Sequence, residues 1–100
     1  MPMDRRANMV RLNPADNVAV ALSDIAAGET ALDRAALMVT ARERIPQGHK
    51  IALQPIGVDE PIVRFGMPVG LAKAAIDKGA LVHIHNVRSR YLDNAVDHYE

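Results

Sequence analysis

The sequence predicts a mostly β domain with one short helix. Three observations carry that expectation: short runs in which apolar and polar residues alternate, Gly and Pro turns set closely between them, and a single stretch, 68–78, punctuated like a helix. The first run is Val18-Ala19-Val20-Ala21-Leu22, entered from the turn cluster Asn13-Pro14-Ala15-Asp16-Asn17, with Val18, Val20 and Leu22 expected on one face. Residues 31–44 have helical propensity at Ala35 and Ala36. Pro46 and Gly48 follow too closely for a stable helix, so Leu37-Met38-Val39-Thr40 reads as a strand. In the next strand, 49–56, alternation sets Ile51 and Leu53 against Lys50 and Ala52. Val58-Asp59-Glu60-Pro61 is a turn, and Ile62-Val63-Arg64-Phe65 a strand ended by Gly66. Pro68 fits the first turn of a helix and Gly79 its stop, with Leu71, Ala72, Ala74, Ala75 and Ile76 between them.

A short device recurs. Ile25-Ala26-Ala27-Gly28, Ile45-Pro46-Gln47-Gly48 and Ile76-Asp77-Lys78-Gly79 each read as an apolar anchor followed by a turn in which Gly takes positive φ. Their spacing is unequal, which excludes a solenoid. Residues 1–11 read as a flexible lead-in, 12–87 as the domain and 88–100 as a polar C-terminal tail, whose Tyr91, Leu92, Val96 and Tyr99 could dock on the domain or a partner.

Composition narrows the function. One hundred residues, 49% of them apolar, can bury a core without staples. The formal net charge is zero and aromatics are limited to Phe65, Tyr91 and Tyr99, which argues against nucleic-acid binding. No polybasic patch, signal peptide or spanning segment is visible, so no membrane partner is expected and the cytoplasm is the default location. With no cysteine, thiolate nucleophiles, disulfides and Cys-ligated zinc are excluded.

The residues most able to carry chemistry lie in Leu81-Val82-His83-Ile84-His85-Asn86-Val87. If this is a strand, His83 and His85 share a face about 6.8 Å apart along it. Such a pair can bind a metal, hold an anion or pass a proton, and it is equally compatible with hydrogen-bonded surface histidines. Two imidazoles alone leave a metal shell incomplete. Gly48-His49-Lys50 is a second candidate: the glycine lets backbone approach, and the side chains offer donors and charge to a carboxylate or phosphate. Asp16 is a third, though Asp beside Pro14 and Asn17 most often only closes a turn. Arg64 alternates with Val63 and Phe65, points outward if those are buried, and could pair with a substrate carboxylate. His98 falls in the tail.

The order of these blocks is informative. Asn13-Pro14 with Asp16-Asn17-Val18-Ala19-Val20, then Ile45-Pro46-Gln47-Gly48-His49-Lys50-Ile51-Ala52-Leu53, then Phe65-Gly66-Met67-Pro68-Val69-Gly70, then Val82-His83-Ile84-His85-Asn86-Val87 resembles the SAF domain of the altronate/galactarate dehydratase family over about Leu12 to Val87. The resemblance implies a SAF-type β-clip and a role in β-elimination from a sugar acid or related 2-hydroxy acid. It implies a large dehydratase-type catalytic subunit as partner, this chain being a small subunit similar to that of sulfolactate sulfo-lyases and inactive without the partner. It further implies a divalent metal, iron or another, in the complete enzyme. Carried over by position, His83 and His85 are expected as catalytic residues and candidate metal contacts, with His49, Lys50, Arg64 and Asn86 at the substrate. Arg64 stands where the family often has Lys, and Val58-Asp59-Glu60 where Gly-Glu is common. The alternatives are a non-catalytic carbohydrate- or sugar-acid-binding or assembly module and a stand-alone metal site on His83 and His85; beside the large subunit, a second copy of this chain is a further candidate partner.

Overall fold

In the computed structural model, residues 7–83 and 85–89 are described, and every regular element among them is a strand. The strands are β1 (Met9–Val10), β2 (Val18–Ala21), β3 (Thr30–Leu32), β4 (Met38–Thr40), β5 (Lys50–Ala52), β6 (Pro61–Arg64), β7 (Met67–Ala72), β8 (Leu81–Val82) and β9 (Val87–Ser89). They form a central antiparallel sheet of order β1-β2-β5-β8, a β3-β4 hairpin and a β6-β7-β9 sheet. The mostly β class expected from the sequence is the observed one, including the strand at 38–40. β1 lies inside the segment expected as a lead-in: Met9 pairs with Ala21 and is 1% exposed. Residues 1–6 and 90–100, with the tail's docking residues, lie outside the described set.

The helix expected over 68–78 does not form. Its first half is β7, paired on one edge with β6 and on the other with β9. Ile76 makes a bridge to Ile56, and the Asp77–Ala80 turn is closed by the Ala80 N–H donating to the Asp77 carbonyl at 3.0 Å. Tertiary pairing overrides the local propensity of the alanines. A Cβ on Gly70 would meet the Val87 side chain and the Arg88 carbonyl, so this glycine is the place where β9 lies closest on β7. The four-residue interval from Ala72 to Ile76, which mimics a helical period, is the distance from a strand end to a bridging anchor.

That interval occurs four times: Ala21 to Ile25, Ala41 to Ile45, Ala52 to Ile56 and Ala72 to Ile76, all eight residues buried. The isoleucines bridge pairwise, Ile25 with Ile45 and Ile56 with Ile76. The surrounding hydrogen bonds repeat as well. Gly28 N–H donates to the Ala41 carbonyl as Asp59 N–H does to that of Ala72, and Gly48 N–H donates to the Ala21 carbonyl as Gly79 N–H does to that of Ala52, each at 2.8 Å. Glu29 accepts from the Ala26 N–H as Glu60 accepts from that of Gly57, both at 2.7 Å. The chain is thus two copies of one folding unit around a shared sheet. The fourth turn, Ile56-Gly57-Val58-Asp59, carries Asp59 at φ 67 where the other three carry glycine at φ 86 to 88.

Alternation on β2 and β5 distributes the core. Ala19, Ala21, Ile51 and Leu53 enter a cluster with Ile25 and Ile45, whereas Val18 and Ala52 enter a second with Ile56, Ile76 and Val82. Ile51 and Leu53 face opposite to Ala52, as the sequence predicts. Leu22, expected to share the Val18 face, instead lies past the end of β2 and is exposed. Burying each isoleucine contributes roughly 2–3 kcal/mol.

Candidate functional site

His49 and His83 meet. Their ring centroids are 4.5 Å apart and the rings are tilted by 55°. The register explains this: β5 pairs with β8 as Lys50 with Val82 and Ile51 with Leu81, and one step further His49 falls opposite His83. Residues directly across an antiparallel pair project together. The link to β2 continues through the same step, the Ala21 N–H donating to the His49 carbonyl at 2.8 Å. Both imidazoles are half-buried at the edge of the central sheet.

Each histidine is held by a separate device. The turn before His49 has Gly48 at φ 86, a conformation that favours glycine, and closes with the His49 N–H donating to the Pro46 carbonyl at 3.0 Å. Asp24 Oδ1 accepts from the Gln47 N–H at 2.8 Å, and its Oδ2 accepts from Arg44 Nη2 at 3.2 Å. The Gln47 N–H, and after it the Arg44 guanidinium, holds the Asp24 carboxyl below its ordinary range. The Gln47 carbonyl lies 3.4 Å from His49 Nδ1. On the other side, Asn86 Oδ1 accepts from the His83 N–H at 2.9 Å while its Nδ2 donates to the Leu81 carbonyl at 2.7 Å. Asn8 does the same for Thr30 and Leu32, and Asn17 for Pro61 and Val63. Asn86 therefore belongs to a set of three side-chain clamps that stand in for a pairing strand, and it holds the backbone of Leu81 and His83.

The other expected residues are not all brought to this pair. β8 ends at Val82, and the Asn86 N–H donates to the His83 carbonyl at 3.0 Å. His83 to Asn86 is a turn with His85 exposed on it, so the strand geometry expected to set His83 and His85 on one face is absent. The polar character of the segment resembled strand alternation because a turn and a clamp also want polar residues. Lys50 follows His49 on β5, half-buried, and alternation assigns it to the row of Val20 and Val82. Arg64 ends β6 on the β6-β7-β9 sheet, half-buried, with its guanidinium carbon 5.0 Å from the Phe65 ring centre. Asp16 is 5% exposed and joins two turns, accepting from the Gly66 N–H at 2.7 Å and the Asn13 N–H at 3.1 Å. Among the described residues no group of three His, Asp or Glu side chains is placed to hold a metal ion. Sequence reasoning missed Asp24, which is far from His49 along the chain. Aligning the two copies of the folding unit would have singled it out.

Comparison with known proteins agrees with the motifs. The family model for the altronate/galactarate dehydratase SAF domain matches residues 7–90. The chain is 40% identical over 85 residues to altronate dehydratase of Escherichia coli, an alignment covering 84% of this chain and 17% of that protein. To galactarate dehydratase (L-threo-forming) of the same organism it is 36% identical over 75 residues, 73% of this chain and 14% of that protein. To the (2R)-sulfolactate sulfo-lyase subunit alpha of Chromohalobacter salexigens it is 32% identical over 54 residues, 54% of this chain and 57% of that subunit. The chain therefore spans about a sixth of the length of the dehydratases it matches. With all but the first six residues and the last ten inside the matched segment, the chain belongs to the altronate/galactarate dehydratase SAF domain family.

Proposed function

We propose that this chain is the small subunit of a sugar-acid dehydratase or related lyase, working in the cytoplasm with a large dehydratase-type subunit. The His49–His83 contact is the observation that carries this reading. β-Elimination from a 2-hydroxy acid requires a base for the proton beside the carboxylate and an acid for the departing group. Two imidazoles in contact can serve as that pair, imidazole being the side chain most often used as general acid and base. His85 supplies a third imidazole on the turn after His83 and Asn86 the placement of His83, whereas Lys50, which β5 sends to the face opposite His49, and Arg64, on the β6-β7-β9 sheet, are given no part in this pair. The relatives named altronate and galactarate dehydratase favour sugar acids as substrates.

A partner is supported by length and by surface. The sulfo-lyase relative is named as a subunit, and the dehydratases are far longer than this chain. Phe65, Met67 and Val69 are all exposed within five residues of the chain, Phe65 by 56%, apolar surface that suits a protein contact. Among the described residues no three side chains are placed together as a catalytic zinc site typically requires, so a divalent metal in the assembled enzyme would draw ligands from beyond them, the partner included. When bound, such a metal would stabilise charge developing on the substrate.

The test is co-expression with a large dehydratase-type subunit and an assay of keto-acid release from altronate and galactarate. Turnover is expected from the pair and from neither chain alone, and His49→Ala or His83→Ala should abolish most of it. Unchanged turnover in both variants overturns the site. Micromolar binding of sugar acids by the isolated chain, with no elimination in the presence of the partner, would favour the binding-module reading instead.

A further inference from the structure

The two copies of the folding unit allow what the scaffold needs to be separated from what it adds at one place. In the second copy the turn before Ala80 is built like the turn before His49: Gly79 has φ 88, its N–H donates to the Ala52 carbonyl at 2.8 Å, and the Ala80 N–H donates to the Asp77 carbonyl at 3.0 Å. Yet the residue matching Asp24 is Pro55, the one matching Arg44 is Ala75, and the one matching Gln47 is Lys78. The turn thus forms without a carboxylate. The Asp24 clip exists only in the copy that carries a histidine.

What the clip does follows from atom types. It fixes Gln47, whose carbonyl lies 3.4 Å from His49 Nδ1. A carbonyl oxygen only accepts, so the ring nitrogen facing it must carry the proton, and in a neutral ring the lone pair is then on Nε2. We propose that Asp24 is a positioning residue for His49: by holding Gln47 it keeps the imidazole as the Nδ1–H tautomer and presents Nε2 as the basic nitrogen of the His49–His83 pair. The inference rests on that pair being the site, but its test does not depend on turnover.

Two-bond proton–nitrogen correlation spectra of the full chain, recorded above about pH 8 where imidazole is neutral, report the tautomer of each ring directly. For the unmodified chain, His49 is expected to hold its proton predominantly on Nδ1. Asp24→Ala should erase most of that excess while leaving the tautomer of His83 unchanged. Asp24→Asn, which retains an acceptor oxygen, should restore it. If Asp24→Ala does not fold, Asp24→Pro serves in its place, because Pro55 occupies the equivalent position in the second copy. A His49 proton on Nε2 in the unmodified chain, or an unaltered excess without the carboxylate, overturns the proposal. Loss of the tautomer preference alongside normal turnover in His49→Ala would instead sink the functional reading and leave the positioning role standing.

Discussion

His49 and His83 sit with ring centroids 4.5 Å apart although neither lies within a regular strand: His49 precedes β5 and His83 follows β8. The central sheet supplies the register, and each ring is then held by its own turn. Groups that act as a unit fail non-additively. In the assembled enzyme, His49→Ala and His83→Ala should each lower kcat/KM by about 10²- to 10⁴-fold, the range of general acid–base contributions. The double variant should be little worse than the poorer single one. Steady-state kinetics on all four proteins checks this, and effects that multiply would mean the rings work independently.

The asparagine clamps should matter to stability in proportion to what they replace. Asn17 donates to the Pro61 carbonyl at 2.9 Å and accepts from the Val63 N–H at 2.8 Å, joining β6 to the start of β2. Removing it breaks both bonds and leaves the part-buried Val63 N–H without this partner, a loss of about 1–2 kcal/mol. Asn17→Ala should lower the urea midpoint accordingly, and Asn17→Asp, which keeps the acceptor, should fall between it and the unmodified chain.

Two glycines with nearly the same backbone should respond differently to alanine. Gly48 and Gly79 have φ 86 and 88, but a Cβ on Gly48 meets nothing within 4 Å, whereas one on Gly79 would strike the Thr40 carbonyl oxygen. Gly48→Ala should therefore cost only the left-handed strain, about 1–2 kcal/mol. Gly79→Ala must also displace the end of β4 and should cost about 3 kcal/mol or more. Equal unfolding free energies by denaturant titration would refute the backbone contact as the cause.

Asp24 makes stability depend on acid. A carboxyl whose folded pKa is depressed adds stability above its unfolded pKa, and that contribution disappears as pH falls through the folded value. The ordinary value here is 3.8, and the Gln47 N–H and Arg44 lower it. Asp24→Asn should therefore be less stable than the unmodified chain at neutral pH, with the gap closing below about pH 4. Thermal midpoints measured across this range give the answer, and a gap that persists or widens in acid would exclude the assignment.

The sequence made part of this legible and concealed the rest for identifiable reasons. Alternation at Ile51, Ala52 and Leu53 placed the right residues on the right sides of β5, and Pro46 and Gly48 ruled against a helix before them. At Ala72-Lys73-Ala74-Ala75-Ile76 the same kind of reading failed, because an anchor spaced four residues from a strand end looks like one helical turn. The recurrence of Ile-x-x-Gly was visible three times but not a fourth, since Asp59 adopts the left-handed conformation in place of glycine. The meeting of His49 with His83 required knowing that β5 and β8 are neighbours, which no local pattern encodes. The family motifs contain both His49 and His83, and the register of β5 against β8 is what brings the two rings into contact.

Because β2 and β5 send successive side chains into different clusters, neither half of the molecule owns the sheet on which it rests. Peeling one half away would strip Ala19 or Val18, and Ile51 or Ala52, from the other's interior in the same motion. A protein with two separate cores should on this ground melt in a single cooperative transition.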